Sequence, residues 1–278
     1  MIRLYKDVAK MDMQQTDTLS AAGIKNFLKQ EYSGIDVVVF KTIDSTNKNA
    51  KAHMADGASH GTTIVSEMQT AGIGRHGRSF YSPPNTGIYM SVVIKADIKA
   101  LQATLITIAA AVSVCRAIRR LTKLAPQVKW VNDIMLGGKK ICGILTESTT
   151  NAKSGTMPAI IVGIGINFST KKEQFEPELQ KTAGSLFEKT VPIVTRNQLA
   201  AEILNQLLDI VEGGISGEIL HEYKALSNVL GKNVSITRGS KQFRAKAVDI
   251  DENGALIVED EQGLLKSLLC EEVSIRSQ

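Results

Sequence analysis

The change of rhythm at Gly231 constrains this chain most. Before it, strand-length apolar runs alternate with helix-length periodic segments; after it, only short strands and tight turns remain. The runs 234–238, 243–249, 255–259 and 264–268 are separated by Gly239-Ser240, Asn253-Gly254 and Gln262-Gly263. Asn-Gly between two apolar runs is a strong hairpin signal, because both residues accept the positive φ of a tight turn. The segment 230–278 is therefore expected to form a small all-β barrel. It follows an α+β domain at 35–229, and 1–34 reads as a short N-terminal extension.

Within 35–229 the pattern predicts a mixed β-sheet with flanking helices. Strands are read at 37–40, 62–67, 87–95, 127–130, 141–147 and 159–167, rich in β-branched and large apolar residues. Leu101, Leu105, Ile108, Val112 and Cys115 follow helical spacing and mark a long buried helix. It should stop near Leu124, since Pro126 disfavours helix at the residue before it. A short helix capped by Ser20 puts Ile24, Phe27 and Leu28 on one face, and another begins at 44–47. The segments 198–211 and 219–226 read as a helical pair, and 148–158 and 170–192 read as loops.

At 278 residues, 43% hydrophobic and 22% charged, the chain can bury a sizeable core and is neither disordered nor fibrous. Its 33 Lys and Arg exceed its 28 Asp and Glu by only five, and they are dispersed. No basic block suggests a nucleic-acid tail, so an anionic small substrate or an acidic partner fits the charge at least as well. Cys115, Cys142 and Cys270 are odd in number and lack a C-x-x-C pair, which argues against a disulfide scaffold or zinc site. Residues 1–15 are too polar for a signal peptide, and 101–121 carries three Arg, so it reads as a core helix and not a membrane span. A soluble, cytoplasmic protein is expected.

Five clusters carry candidate chemistry, most of them at strand ends, where ligand sites of such sheets gather. Gly72 to Phe80, GIGRHGRSF, joins three glycines to Arg75, His76 and Arg78. Glycine lets backbone approach a ligand closely, and the Arg fork binds phosphate or carboxylate at two points. A solvated hairpin tip is the competing reading. Ser45-Thr46-Asn47 offers hydroxyls and an amide to a neutral polar ligand, or simply caps a helix. Lys129-Trp130-Val131-Asn132-Asp133 can hold phosphates and Mg²⁺, or serve as a turn that bonds itself. Lys139-Lys140 leads into the apolar run 141–145, where packing poorly explains Lys and Gly143 keeps the floor clear. In 163–167, GIGIN, glycines allow a ligand to lie on backbone.

Together these clusters resemble the biotin protein ligases. That family carries an STN tripeptide, a Gln, a GRGRxGR loop, KWPND, a KKxxGIL strand and a GIGIN strand in this order. The counterparts are Ser45 to Asn47, Gln69, Gly72 to Arg78, Lys129 to Asp133, Lys139 to Leu145 and Gly163 to Asn167. The end of the chain, through Arg276, is similar to the family's SH3-like domain. Two positions depart: Ile73 replaces the first loop Arg, so that one phosphate-facing charge is either missing or taken over by His76, and Val131 replaces Pro. Cys142 reads as a small core residue.

The resemblance implies ATP-dependent formation of biotinyl-5′-AMP, then transfer to one lysine of the biotin carboxyl carrier domain of acetyl-CoA carboxylase or a related carboxylase. It implies Arg75 and Lys140 as catalytic. Ser45, Thr46, Asn47, Gln69, Gly72, Gly74, Arg75, Lys140, Gly143 and Gly165 are implied for biotin. Arg75, His76, Arg78, Phe80, Lys129, Asn132, Asp133, Lys140 and Asn167 are implied for ATP, with Phe80 stacking on adenine and Asp133 on Mg²⁺. The alternatives are a bifunctional ligase and transcriptional repressor, a lipoate or octanoate ligase, and a biotin-binding module without chemistry. The short extension leaves little room for a DNA-binding domain, so DNA and membrane are not expected as partners. A homodimer through strand 159–167, or an edge beside it, is a candidate assembly.

Overall fold

The computed structural model describes residues 17–95, 103–149, 159–238, 241–269 and 272–275. The 1–15 segment, Leu101, most of the 148–158 loop, the Gly239-Ser240 turn, Cys270 and Arg276 lie outside the described residues.

Seven strands form a mixed sheet: β1 (Val37–Phe40), β2 (Thr63–Ser66), β3 (Gly87–Ile94), β4 (Gln127–Lys129), β5 (Asp133–Leu136), β6 (Lys139–Thr149) and β7 (Ala159–Asn167). Their order is β1-β2-β3-β7-β6-β5-β4. Only β1 and β2 pair in parallel; the remaining neighbours are antiparallel. Period-two alternation divides β7 between two faces. Ile160, Val162, Ile164 and Ile166 enter the main core, while Ile161 belongs to a smaller cluster with Ala50, Ile64 and Val93. Helices α3 (Ala103–Thr122) and α4 (Arg196–Glu212) pack together on the main-core side, and α2 (Thr46–Ala55) packs against β2, β3 and β7. Helix α5 (Gly217–Leu226) packs on α3.

Strand β5 was not anticipated. The five residues 129–133 are the tight turn of the β4–β5 hairpin, with Lys129 directly opposite Asp133. Strand β7 pairs with β3 on one side and β6 on the other, so it is no edge and cannot pair two copies. The first helix, α1 (Ala21–Lys25), is shorter than expected. Ser20 caps it by accepting from Gly23 N at 3.0 Å, but Phe27 lies beyond it and is exposed. Helix α3 stops at Thr122, because Lys123 takes φ 63.

The C-terminal unit is a five-stranded antiparallel sheet of β8 (Asn233–Arg238), β9 (Lys241–Ile250), β10 (Leu256–Asp260), β11 (Leu265–Leu268) and β12 (Glu272–Ile275), in the order β11-β10-β9-β8-β12. One device makes two of its hairpins. Asp251 Oδ1 accepts from the N–H groups of Asn253 and Ala255, and Asp260 Oδ1 does the same with Gln262 and Leu264. Gly254 and Gly263 supply the positive φ, 82 and 77. Gly254 has a second duty: a Cβ there would stand 2.6 Å from Ile108 Cδ1 of α3. Its carbonyl accepts from Trp130 Nε1 at 3.0 Å, a buried bond that ties this unit to the β4–β5 turn.

Candidate active site

Register places one straight row across the sheet on the face opposite α3. Tyr89 lies beside Gly165, Gly165 beside Gly143, Gly143 beside Asp133, and Asp133 beside Lys129. Four strand spacings make this row about 19 Å long. Above it lies a cavity of about 880 Å³. Of the sequence-nominated residues, Ser45, Thr46, Asn47, Gln69, Gly74, Arg75, His76, Arg78, Phe80, Lys129, Asn132, Asp133, Lys140, Gly143 and Gly165 all line it.

Over β2 and β3 the cavity is polar but uncharged. Gln69 Oε1 accepts from Thr46 N at 2.9 Å and from Thr46 Oγ1 at 3.1 Å, and Gln69 Nε2 donates to Ser82 Oγ at 2.9 Å. Buried Ser91 lies 2.6 Å from Asn47 Oδ1 and 2.8 Å from Thr46 Oγ1. Asn47 Nδ2 donates to Glu147 Oε2 at 2.8 Å, and Lys51 Nζ holds the other oxygen of that carboxylate at 2.6 Å. Gly163 has no Cβ because Asn47 Oδ1 occupies that space. The tripeptide is thus more than a cap: Ser45 occupies the N-cap position of α2 without a side-chain cap bond.

Toward β5 and β4 the character reverses. Lys140 Nζ sits 2.6 Å from Asp133 Oδ1, and Arg75 Nη1 donates to Asn132 Oδ1 at 3.0 Å. Among the described residues lining the cavity, Asp133 is the single carboxylate against Arg75, Arg78, Lys129, Lys140, Lys181 and Lys232. This end is built for an anion of more than one charge.

The Gly-rich segment closes on itself as a small hairpin. Phe80 N donates to Gly72 O at 2.9 Å, Gly74 N to Arg78 O at 2.7 Å, and Ile73 faces Ser79. The turn is Arg75–Gly77, with His76 at φ 56 and Gly77 at φ 75. The segment is thus a hairpin, and its tip carries Arg75 into the cavity. Gly72 and Gly74 do not use positive φ. A Cβ at Gly72 would stand 2.5 Å from Phe80 O, so close approach of the two hairpin arms requires glycine there.

Three expectations change. Gly72 packs inside its own loop and does not line the cavity. Asn167 is buried away from it, donating Nδ2 to Gly184 O at 2.9 Å. Phe80 lies not apart on a nucleotide side but on the glycine floor: a Cβ at Gly165 would meet its ring at 2.6 Å, and one at Gly143 at 3.2 Å. Cys142 and Cys115 are core thiols, and burial pushes Cys115 up to about 12.

Sequence reading missed Ser82, Ser91, Glu147, Lys51, Lys181, Asn228 and Lys232. Ser91 and Glu147 meet Asn47 across separations of 44 and 100 residues, which no local motif encodes. Among the described residues no three His, Cys, Asp or Glu side chains gather as a metal site. Asp133 alone suits Mg²⁺, which binds through one carboxylate when phosphates and waters supply the other ligands. No described helix is long and apolar enough to cross a membrane.

Residues 39–167 match the biotin/lipoate A/B protein ligase family, and residues 229–276 match the biotin protein ligase C-terminal domain. The bifunctional ligase/repressor BirA of Bacillus spizizenii is 33% identical over 253 residues, covering 89% of this chain and 77% of that one. A biotin–[acetyl-CoA-carboxylase] ligase of Mycobacterium tuberculosis is 29% identical over 223 residues, 77% of this chain and 80% of the relative. Among solved structures, a biotin protein ligase from Aquifex aeolicus in complex with biotin and ATP superimposes with a TM-score of 0.74 at 25% identity. It covers 87% of this chain and 99% of that one.

Proposed function

The chain belongs to the biotin/lipoate A/B protein ligase family, and from that premise we propose that it is an ATP-dependent biotin protein ligase. It forms biotinyl-5′-AMP and passes the biotin to a lysine of a carboxylase's biotin carboxyl carrier domain. One observation carries the reading: a single cavity joins an uncharged hydrogen-bonding end to a cationic end across a glycine floor. Biotin has matching ends, a neutral ureido ring and a carboxylate, and ATP is the polyanion.

In this reading Thr46, Asn47 and Gln69 orient the ureido ring with Ser45 beside them, and Gly143 and Gly165 let the bicycle and its arm lie close to backbone. Arg75 and Lys140 offset the repulsion between the biotin carboxylate and the α-phosphate, and then the charge that builds at phosphorus. Fixing the two reactants in line is worth roughly 7–11 kcal/mol of barrier. Lys129, Arg78, His76 and Asn132 serve the nucleotide, and Asp133 would hold Mg²⁺, which would neutralise phosphate charge. Phe80 covers the floor on the biotin side and excludes water from the hydrolysable mixed anhydride. The proposal comprises a cytoplasmic ligase, and it assigns any strand pairing of two copies to a strand other than β7.

The test is exchange of labelled pyrophosphate into ATP with Mg²⁺, comparing biotin, lipoate and octanoate. Exchange that requires biotin is expected; exchange with lipoate instead would move the protein to the sister activity. A second expectation concerns Ser91, the buried hydroxyl that fixes the Asn47 and Thr46 side chains. Ser91→Ala should raise the KM for biotin about five- to tenfold with kcat little changed, the loss of roughly one hydrogen bond's orientation. An unaltered biotin KM would remove Ser91 from the site.

A further inference from the structure

One carboxylate stands behind the uncharged end of the cavity. Register sets a second row beside the glycine floor: Ser91 on β3, Gly163 on β7 and Leu145 on β6. Asn47, from the first turn of α2, lies over Gly163 and is 5% exposed. Glu147 comes two residues after Leu145 on the same face of β6. Asn47, Gly163 and Leu145 line the cavity, whereas Glu147 stands behind Asn47 and does not. Its ion pair with Lys51 is partly exposed, so it contributes little to stability and leaves the carboxylate without a packing role.

The hydrogens in front of Glu147 can be counted. Asn47 Oδ1 lies 2.6 Å from Ser91 Oγ, Ser91 Oγ lies 2.8 Å from Thr46 Oγ1, and Thr46 Oγ1 lies 3.1 Å from Gln69 Oε1. The amide oxygens at the two ends only accept, and each hydroxyl brings one hydrogen. Three contacts therefore share two hydrogens. Turning the Asn47 amide over would remove the deficit, because Nδ2 would donate to Ser91, Ser91 to Thr46 and Thr46 to Gln69. Glu147 forbids that turn. Asn47 Nδ2 donates to Glu147 Oε2 at 2.8 Å and to Leu145 O at 3.3 Å, and an amide oxygen in its place would face two acceptors. Lys51 Nζ, 2.6 Å from Glu147 Oε1, fixes the carboxylate in position.

We infer that Glu147 is a positioning residue that holds Asn47 with its oxygen forward, so that this end of the cavity selects a ligand that donates an N–H. The inference deepens the ligase reading above and rests on it. Asn47 Oδ1 has two lone pairs; Ser91 uses one, and a ureido N–H takes the other. That N–H brings a hydrogen into a cluster short of them. With the amide reversed, the same N–H would meet another N–H, and the cluster would be satisfied without a ligand.

The experiment is calorimetric titration of the full chain with biotin, beside thermal melting. Glu147→Gln keeps the shape but lets the Asn47 amide take either orientation. The Kd for biotin should rise about tenfold with little change in Tm. In pyrophosphate–ATP exchange the loss should appear in the KM for biotin and not in kcat. In an Asn47→Ala background Glu147→Gln should alter the Kd no further, since Glu147 acts through Asn47. Cyclic carbamates in which oxygen replaces one or the other ureido N–H supply the chemical control. One of them should bind the unaltered chain about tenfold more weakly than biotin, and that gap should close in Glu147→Gln. Biotin binding of equal strength in the unaltered chain and Glu147→Gln would overturn the inference and leave the ligase reading standing. A full further loss on top of Asn47→Ala would overturn it in favour of a structural ion pair. No biotin binding by the unaltered chain would overturn both.

Discussion

Lys140→Ala is expected to slow biotin-dependent pyrophosphate–ATP exchange by roughly 10²–10³-fold, the range seen when one preorganised charge-stabilising donor is lost. Lys140 enters the cavity from the second residue of β6, and its Nζ lies near the open Cα of Gly143: a Cβ there would stand 3.2 Å from it. Packing alone has no need of a cation at that spot. Its ion pair with Asp133 is partly exposed, with side-chain accessibilities of 36% and 20%, so water screens it. Its loss should therefore cost about 1 kcal/mol of stability or less. The fold should survive while kcat collapses, which thermal melting and exchange assays read separately. Lys140→Arg keeps the charge but moves it, and intermediate activity is expected. Near-normal adenylate formation by the alanine variant would sink the assignment of Lys140 to the reaction.

Much of this was legible because the functional groups lie in short contiguous runs. Ser45 to Asn47, Arg75, Lys129 to Asp133, Lys140 and the 163–167 glycines could each be found without knowing what they face. Strand β5 was not legible, since Asp133–Leu136 is four residues long and abuts a run that has every mark of a turn. Local signals also misjudged glycine. The sequence announces Gly72 and Gly74 as flexible, but their spacing of two sets them on one arm of a hairpin, where the absent side chain admits the other arm. Asn167 shows the opposite failure. It ends a strand that carries two site glycines, yet it turns to Gly184 and secures the following loop. Ser91 was invisible for a simpler reason: it is an ordinary polar residue in an apolar strand, and only its distant neighbours give it a role.

Arg196→Met is expected to destabilise the fold by about 3–5 kcal/mol, the loss typical of stranding one partner of a buried ion pair. Arg196 opens α4 and is 2% exposed. Its Nη1 reaches Glu67 Oε2 at 2.5 Å and Gly87 O at 3.1 Å, and its Nε reaches Asp17 Oδ2 at 3.3 Å. Glu67 also accepts from Leu19 N at 2.7 Å. One guanidinium thus joins the segment before α1, the end of β2, the start of β3 and α4. Removing it leaves Glu67 buried and unpaired, and a double variant with Glu67→Gln should recover part of the loss while keeping an acceptor for Leu19 N. Denaturant unfolding of the single and double variants measures both, and a single-variant loss under about 1 kcal/mol would refute the role. The defect should also reach the cavity, because Glu67 stands two residues before Gln69 and Gly87 begins the strand that carries Ser91. Loosened positioning there raises the KM for biotin and leaves kcat largely intact. Lys140→Ala does the reverse, so the two variants separate the end of the cavity that holds biotin from the end that activates it.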